Sequence, residues 1–490
     1  MAVLGAVPAG ADAAVPAAYR GEFIPAARAE ATVATPSGPL RYSVTWSEHA
    51  VTDAQGVAHA TLSTLAFERE AAPGTAARPV IFAFGGGPGE AASELGFGLL
   101  APKRYALDGH AGPLQDNPDT LLDVADLVLI DTPGSGYTHA LRPDGLAYLY
   151  GAKTEADSVA AAIRAWLVEH GRERSPVYIM GESYGGYRIG VMAPQLGDMN
   201  VAGLILVSPA LDLSDQPGSS GTPDLHYVFA LPTMAVAAVV QHRVDGRGRS
   251  VAQVFDEARA FAEGELLVAL QSGAALPARR REMLARRMSG FLGIPAERIA
   301  SANLRLLPQD FLESLVPDRV VGRLDVRVSG PAHKAALIEG RDRAADDPSL
   351  DIGASNIKRN DVAGAYLESI GVKAGAPYVE LDLEMNLNLD WAFGSRSFED
   401  SLRLNPTPRI AALMAAQPAA RLLLFSGYYD MTTPVLAQRY SLTHAGVPLD
   451  RASMITLAGP HMIYRDEATR RDVSRRLRAF IGGTVAVTAP

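Results

Sequence analysis

Six short, almost wholly apolar segments recur along the chain, and they constrain its fold more than any other feature. They are Val80–Phe84, Leu127–Ile130, Val177–Met180, Leu204–Val207, Leu422–Phe425 and Met454–Leu457. A strand with one wet face alternates apolar and polar side chains; a strand apolar throughout needs cover on both faces. Helical patterns lie between these segments. Thr154 is placed to cap a helix that puts Val159, Ile163, Trp166 and Leu167 on one face, and Gly171 stands where a C-terminal glycine belongs. Alternating strands and helices predict a mostly parallel central sheet with helices on both faces, the architecture of an α/β fold. The Arg-rich segment Thr469–Phe480 reads as one more sheet-packing helix, not as a nucleic-acid patch.

Two regions depart from the alternation. From Ala31 to Arg69 the pattern is Thr/Val-rich and broken at Ser37-Gly38-Pro39 and Asp53-Ala54-Gln55-Gly56, which predicts antiparallel hairpins. From about Asp212 to Arg403, a Gly/Ser/Pro-rich loop (Gln216 to Pro223) leads into helical patterns and charged segments at Pro277–Arg287 and Gly340–Pro348. That stretch reads as a mainly helical cap inserted between two strands. The expected organisation is a tail over 1–30, the first part of the core over 31–211, the cap over 212–403 and the second part of the core over 404–490. No internal repeat is present.

Composition removes several function classes. The chain of 490 residues carries 45 basic and 54 acidic side chains, a net charge of −9, which disfavours sequence-independent binding to nucleic-acid phosphates. It has no cysteine, which excludes disulfides, thiolate nucleophiles and cysteine-held metals. No apolar window is long enough to span a membrane. Met1–Ala11 is uncharged, and Ala11-Asp12-Ala13 is like a small-residue cleavage site, but Pro8 and Gly10 interrupt the stretch and no basic start precedes it. It reads as a plain tail first and the remnant of an export signal second. Oligomeric state is not readable.

The most specific motif is Gly181-Glu182-Ser183-Tyr184-Gly185, the one G-x-S-x-G in the chain. A strand precedes it directly and a helix pattern runs from Tyr184 towards Met192. That context makes it a nucleophile elbow, a turn that lifts the Ser183 hydroxyl above the sheet at a helix N-terminus. A serine hydroxyl needs a base. Of ten histidines, His444 and His461 follow a plausible acid late in the chain; His461 sits just past a strand, whereas His444 lies in a helix-like segment ending at Gly446. Asp430 also follows a strand, and the order Ser183, Asp430, His461 is that of the α/β-hydrolase triad. Asp430 would hold the imidazole in the right tautomer.

Phe84-Gly85-Gly86-Gly87-Pro88-Gly89-Glu90 also follows a strand. A glycine run there can present N–H groups to an oxyanion, and the expected donors are the N–H groups of Gly87 and Tyr184. A phosphate loop would need a Lys after the glycines, and dinucleotide binding a glycine spacing that Pro88 interrupts. Tyr137, Tyr428 and Tyr429 flank strand ends, with pocket lining and packing equally open. Asp131 reads as a turn residue. No H-E-x-x-H pair and no EF-hand pattern occurs, so no metal and no other cofactor is expected.

Together, Gly86-Gly87-Pro88-Gly89, Asp131-Thr132-Pro133-Gly134-Ser135-Gly136-Tyr137, Glu182-Ser183-Tyr184-Gly185-Gly186, Ser426-Gly427-Tyr428-Tyr429-Asp430 and His461-Met462 resemble the serine carboxypeptidase family of the α/β-hydrolase fold. The likeness is narrowest to its bacterial, cysteine-free branch. It implies hydrolysis of C-terminal peptide bonds through an acyl-enzyme, by proteins that are mostly exported, which favours a periplasmic or secreted location over a cytoplasmic one. It also implies that the substrate carboxylate is gripped by an Asn in the glycine loop, a loop N–H and the Glu before the nucleophile. Here those positions are Gly85, Gly86 and Glu182, so the Asn side chain is lacking. A second Glu that shares a proton with the first falls in Gly98-Leu99-Leu100 and has no counterpart, and Glu90 stands where a Cys or Ser is usual. The first expectation is therefore a serine carboxypeptidase acting on peptides. The alternatives are an esterase, amidase or acyltransferase on a small molecule and, more remotely, a binding protein that keeps the fold without the chemistry.

Overall fold

The computed structural model describes residues 20–69, 77–106, 112–213, 223–332, 347–352, 355–383 and 404–483. The tail over 1–19 and most of the loop Gln216–Pro223 and of the segment Gly340–Pro348 lie outside them. The centre is one sheet of nine strands: β1 (Ala27–Thr35), β2 (Gly38–Thr52), β3 (Ala58–Glu68), β4 (Val80–Phe84), β5 (Asp126–Asp131), β6 (Val177–Glu182), β7 (Val201–Val207), β8 (Arg421–Gly427) and β9 (Ala452–Leu457). Their spatial order is β1-β2-β3-β5-β4-β6-β7-β8-β9. All six apolar segments are strands of it. β1, β2 and β3 form the antiparallel hairpins, and β3 meets β5 antiparallel, while every later pairing is parallel.

The continuous apolar runs are explained by two cores. Along β4, Val80, Phe82 and Phe84 enter one core while Ile81 and Ala83 enter the other, as a period of two requires. Helix α1 (Ala152–Glu169) covers the first face with Val159, Ile163, Trp166 and Leu167, the residues its pattern predicts. Trp166 is 1% exposed and meets Phe82 edge-on at 5.5 Å between ring centres. The cap of α1 is Gly151 and not Thr154, which lies inside the first turn; the helix starts earlier because Ala152 is buried against the sheet. Helix α2 (Tyr184–Met192) follows the elbow on the same face. The C-terminal helix Glu467–Ile481 covers the other face through Val473, Leu477 and Phe480.

Between β7 and β8, helices α3 (Asp224–Val240), α4 (Val251–Phe261) and α5 (Ala278–Leu292), with shorter ones after them, enclose an apolar core of their own around Leu231, Phe255, Phe261 and Leu284. The inserted stretch is not helical cap throughout. Ala363, Leu367 and Tyr378 pack into the sheet's second core, because the helix Asp361–Ser369 and the short strand Val379–Asp382 return to the body. Among the described residues no helix is long and apolar enough to cross a membrane.

Candidate active site

Four loops leave the C-terminal ends of parallel strands at the same edge of the sheet: the glycine loop after β4, the elbow after β6, the Asp430 loop after β8 and the His461 loop after β9. This edge is where open α/β sheets build their sites, since neighbouring crossovers leave a crevice there. Here the order β5-β4-β6 puts the glycine loop beside the elbow.

Ser183 has φ 55° and ψ −123°, a left-handed conformation that a side chain adopts only under constraint. Backbone bonds hold it there: its N–H donates to the Val207 carbonyl at 2.9 Å, and its carbonyl accepts from the N–H groups of Gly186 and Ala210, each at 2.9 Å. The turn leaves no room for a Cβ at Gly181, which would lie 2.5 Å from the Gly185 carbonyl oxygen.

Asp430 is fully buried, and its Oδ2 lies 2.7 Å from His461 Nδ1. The carboxylate also accepts from the Thr432 N–H at 2.8 Å, the Thr433 N–H at 3.1 Å and the Thr433 hydroxyl at 2.6 Å. Burial alone would lower the His461 pKa, but the charge and hydrogen bond of Asp430, aided by Glu182 and Glu90, outweigh it and raise it above 6.5. The His461 backbone is fixed from two sides: its N–H donates to the Leu324 carbonyl at 2.8 Å, and its carbonyl accepts from the Ser208 hydroxyl at 2.7 Å. Ser183 and His461 line one cavity of about 110 Å³, together with Gly87, Glu90, Arg323 and Arg465. No hydrogen bond joins the Ser183 hydroxyl to the imidazole among the described residues; such contacts commonly tighten only with substrate bound.

The glycine loop reaches Ser183 at Gly86. A Cβ there would stand 2.5 Å from Ser183 Cβ and 3.0 Å from the Tyr184 nitrogen. Gly87, at φ 88°, also lines the cavity. The Gly87–Pro88 peptide is cis. The Gly86 N–H, which the family resemblance would offer to a substrate carboxylate, donates instead to Glu90 Oε2 at 2.8 Å. Gly85 faces inward with its carbonyl on Arg188, at 2.7 Å.

Glu182 is 1% exposed; its Oε2 accepts from the Tyr464 hydroxyl at 2.7 Å, while Oε1 has no hydrogen-bond partner among the described residues. Burial first, and then the Glu90 charge, push its pKa to about 8. Burial likewise raises Glu90, against the Gly86 N–H. Glu90 is thus a second carboxyl group near enough to act on Glu182, at a position where the family resemblance expects a Cys or Ser.

Other candidates lie elsewhere. Asp131 accepts from the Ala92 N–H at 3.0 Å, the Tyr378 hydroxyl at 2.8 Å and the Ser63 hydroxyl at 3.1 Å, a structural cluster. Tyr137 packs between Trp46 and Tyr378, Tyr428 against Phe255, and Tyr429 under Arg327. His444 stacks on Tyr440 at the surface. Two contributors carry no motif. Arg188, buried in α2, pairs with Glu155 and holds the carbonyls of Gly85 and Gly86 at 2.7 and 3.3 Å, which fixes the glycine loop. The cap segment 323–326 is a strap: besides its bond to His461, the Arg323 carbonyl accepts from the Met431 N–H at 2.8 Å and the Val326 N–H donates to the Tyr429 carbonyl at 3.0 Å. A lone Arg inside an apolar helix face was the available sign of the first; nothing in the sequence marks the second.

Residues 65–208 match the model described as Serine carboxypeptidase. Over that stretch the chain is similar to the serine carboxypeptidase family. The matched stretch of the serine carboxypeptidase family runs from β3 through the glycine loop and the elbow to the end of β7. A crystal structure of a prohormone-processing carboxypeptidase from Saccharomyces cerevisiae is similar over 91% of this chain and 93% of that one, at 13% identity and a TM-score of 0.54, and shares its fold. A peroxisomal alpha-beta-hydrolase from the same yeast is 10% identical over 96% of this chain and 93% of that one, with a TM-score of 0.37. A proline iminopeptidase from Mycobacterium smegmatis is 14% identical over 93% of this chain and 100% of that one, with a TM-score of 0.34. No curated protein matches. The fold and the match over residues 65–208 support an α/β-hydrolase-superfamily protein of the serine-hydrolase type.

Proposed function

We propose that the protein hydrolyses amide or ester carbonyls through an acyl-enzyme, with Ser183 as nucleophile, His461 as base and Asp430 as the group that orients it. The observation that carries this is the buried 2.7 Å Asp430–His461 pair opening onto the same cavity as a serine held at φ 55°. With Nδ1 engaged by Asp430, Nε2 is the nitrogen left to take the Ser183 proton. The alkoxide oxygen then bonds to the substrate carbonyl carbon, and the carbonyl oxygen becomes an oxyanion. The N–H groups of Gly87 and Tyr184, at the mouth of α2, are the donors assigned to it. Collapse breaks the bond to the leaving group, which takes the proton back from His461. Water, deprotonated by the same imidazole, frees Ser183 in a second pass.

Pre-steady-state turnover of a p-nitrophenyl ester tests the two-step course. A burst of about one p-nitrophenolate per chain, absent in Ser183→Ala, is expected; linear release of equal rate in both proteins would refute it. Peptides with a scissile bond near the C-terminus are the first substrate class to try, on the strength of the family match.

A further inference from the structure

We propose that Glu90 sets the leaving-group specificity of this site: its carboxylate, seated on the Gly86 N–H beside Ser183, disfavours leaving groups that carry a carboxylate next to the scissile bond and favours those that present N–H donors, such as a C-terminal carboxamide or a further peptide residue. The inference rests on the acyl-enzyme proposal above.

Gly86 is the loop residue that touches the nucleophile, and its N–H is one of the few donors the loop can offer there. It is already satisfied from within the chain, at 2.8 Å. A substrate carboxylate arriving at this point would have to displace Glu90 or stand beside it. Displacement is opposed by the backbone. Glu90 pairs with Leu381, the Ala91 N–H donates to the Glu380 carbonyl at 2.8 Å, and the Asp382 N–H donates to the Gly89 carbonyl at 2.9 Å. The neighbouring Gly85 has no side chain to contribute. Coexistence would place like charges together in a partly buried site, which costs specificity-grade energies. A carboxamide or peptide N–H meets the opposite situation, an acceptor already aimed at the cavity.

The other charges of the cavity do not reverse the sign. Lys358 is committed to Glu380 at 2.8 Å, and Arg323 to Asp347 at 3.2 Å. Glu94 adds a further carboxyl group to the wall. Arg465 is the cavity cation whose side chain makes no hydrogen bond or ion pair among the described residues; it is exposed and lies among the carboxyl groups of Glu94, Glu380 and Glu182.

The test compares matched N-blocked dipeptides, one ending in a free carboxylate and one in a carboxamide, on wild type, Glu90→Gln, Glu90→Ser and Arg465→Gln. Thermal melts and fluorophosphonate labelling of Ser183 check each protein for folding. The expected result is a wild-type kcat/KM ratio of amide to acid of about tenfold or more. In Glu90→Gln, which keeps an acceptor for Gly86 but no charge, that ratio should fall about tenfold through a lower KM for the acid. A wild-type preference for the free acid that disappears in Arg465→Gln would overturn the proposal and give the carboxylate to Arg465. A ratio that neither Glu90 variant moves would also overturn it. Wild type that labels at Ser183 but prefers the acid condemns the role of Glu90 alone, whereas absence of labelling removes the acyl-enzyme proposal and this one with it.

Discussion

The placement of Ser183, Asp430 and His461 at one sheet edge was legible because each position leaves a separate trace: glycines around a turn too tight for Cβ atoms, an acid after one strand, an imidazole after the next. What the sequence hides at this scale is who accepts from whom. That Glu90 takes the Gly86 N–H depends on a side chain folding back over four residues, and composition carries no sign of it. Asp430→Asn should lower turnover by a factor on the order of 10⁴ with the melting curve preserved, by the logic established for trypsin-like triads; a variant within tenfold of wild type would deny Asp430 its role. The His461 ring should titrate above pH 6.5, since Asp430 outweighs burial. The base must be neutral to act, so the acid limb of kcat/KM is expected above pH 6.5, and a midpoint well below it would contradict the arrangement. For Glu182 the sign runs the other way in stability. Its folded pKa of about 8 stands above an ordinary 4.5, so between those values the folded state holds a proton that the unfolded chain has lost. Unfolding free energy therefore falls as pH rises through that window. Glu182→Gln should flatten the decline, which denaturant melts at successive pH values would measure.

Secondary-structure elements differ in how plainly the sequence declares them. Continuous apolar runs identify doubly covered strands because few other structures can hide them, and all six were found. The start of α1 was misplaced because burial of Ala152 outranks the cap preference of Thr154. The return of residues 355–383 to the sheet was missed, since a short helix with few apolar positions looks alike on a cap and on a core. Arg188 joins two elements to the glycine loop at once. Replacing it with Met strands the Glu155 carboxylate in the interior, where an unpaired charge costs about 3–5 kcal/mol. Restoring stability with the double change Arg188→Met, Glu155→Leu should not restore kcat, because the carbonyls of Gly85 and Gly86 lose their anchor. Recovery of both together would show that Arg188 serves stability alone.

Across the whole molecule the cap does more than cover the site. The strap at 323–326 holds the backbones on both sides of the Asp430–His461 pair, so the insertion and the two core segments are joined at that pair. A Cβ at Gly322 would fall 2.8 Å from Ser349 Cβ and 2.9 Å from the Asp325 carbonyl. Gly322→Val should push the strap aside and lower kcat by up to about 10²-fold, the scale of a displacement near 1 Å, while the sheet's own stability changes little. Unchanged kinetics would leave the strap a mere tether. The central claim is that three distant side chains form one reactive unit at the sheet's edge, and active-site labelling reads it most directly. After exposure to a fluorophosphonate, peptide mass mapping should find one adduct, on Ser183, with labelling slowed by orders of magnitude in His461→Ala; an adduct on any other residue, or a rate indifferent to His461, would contradict the account.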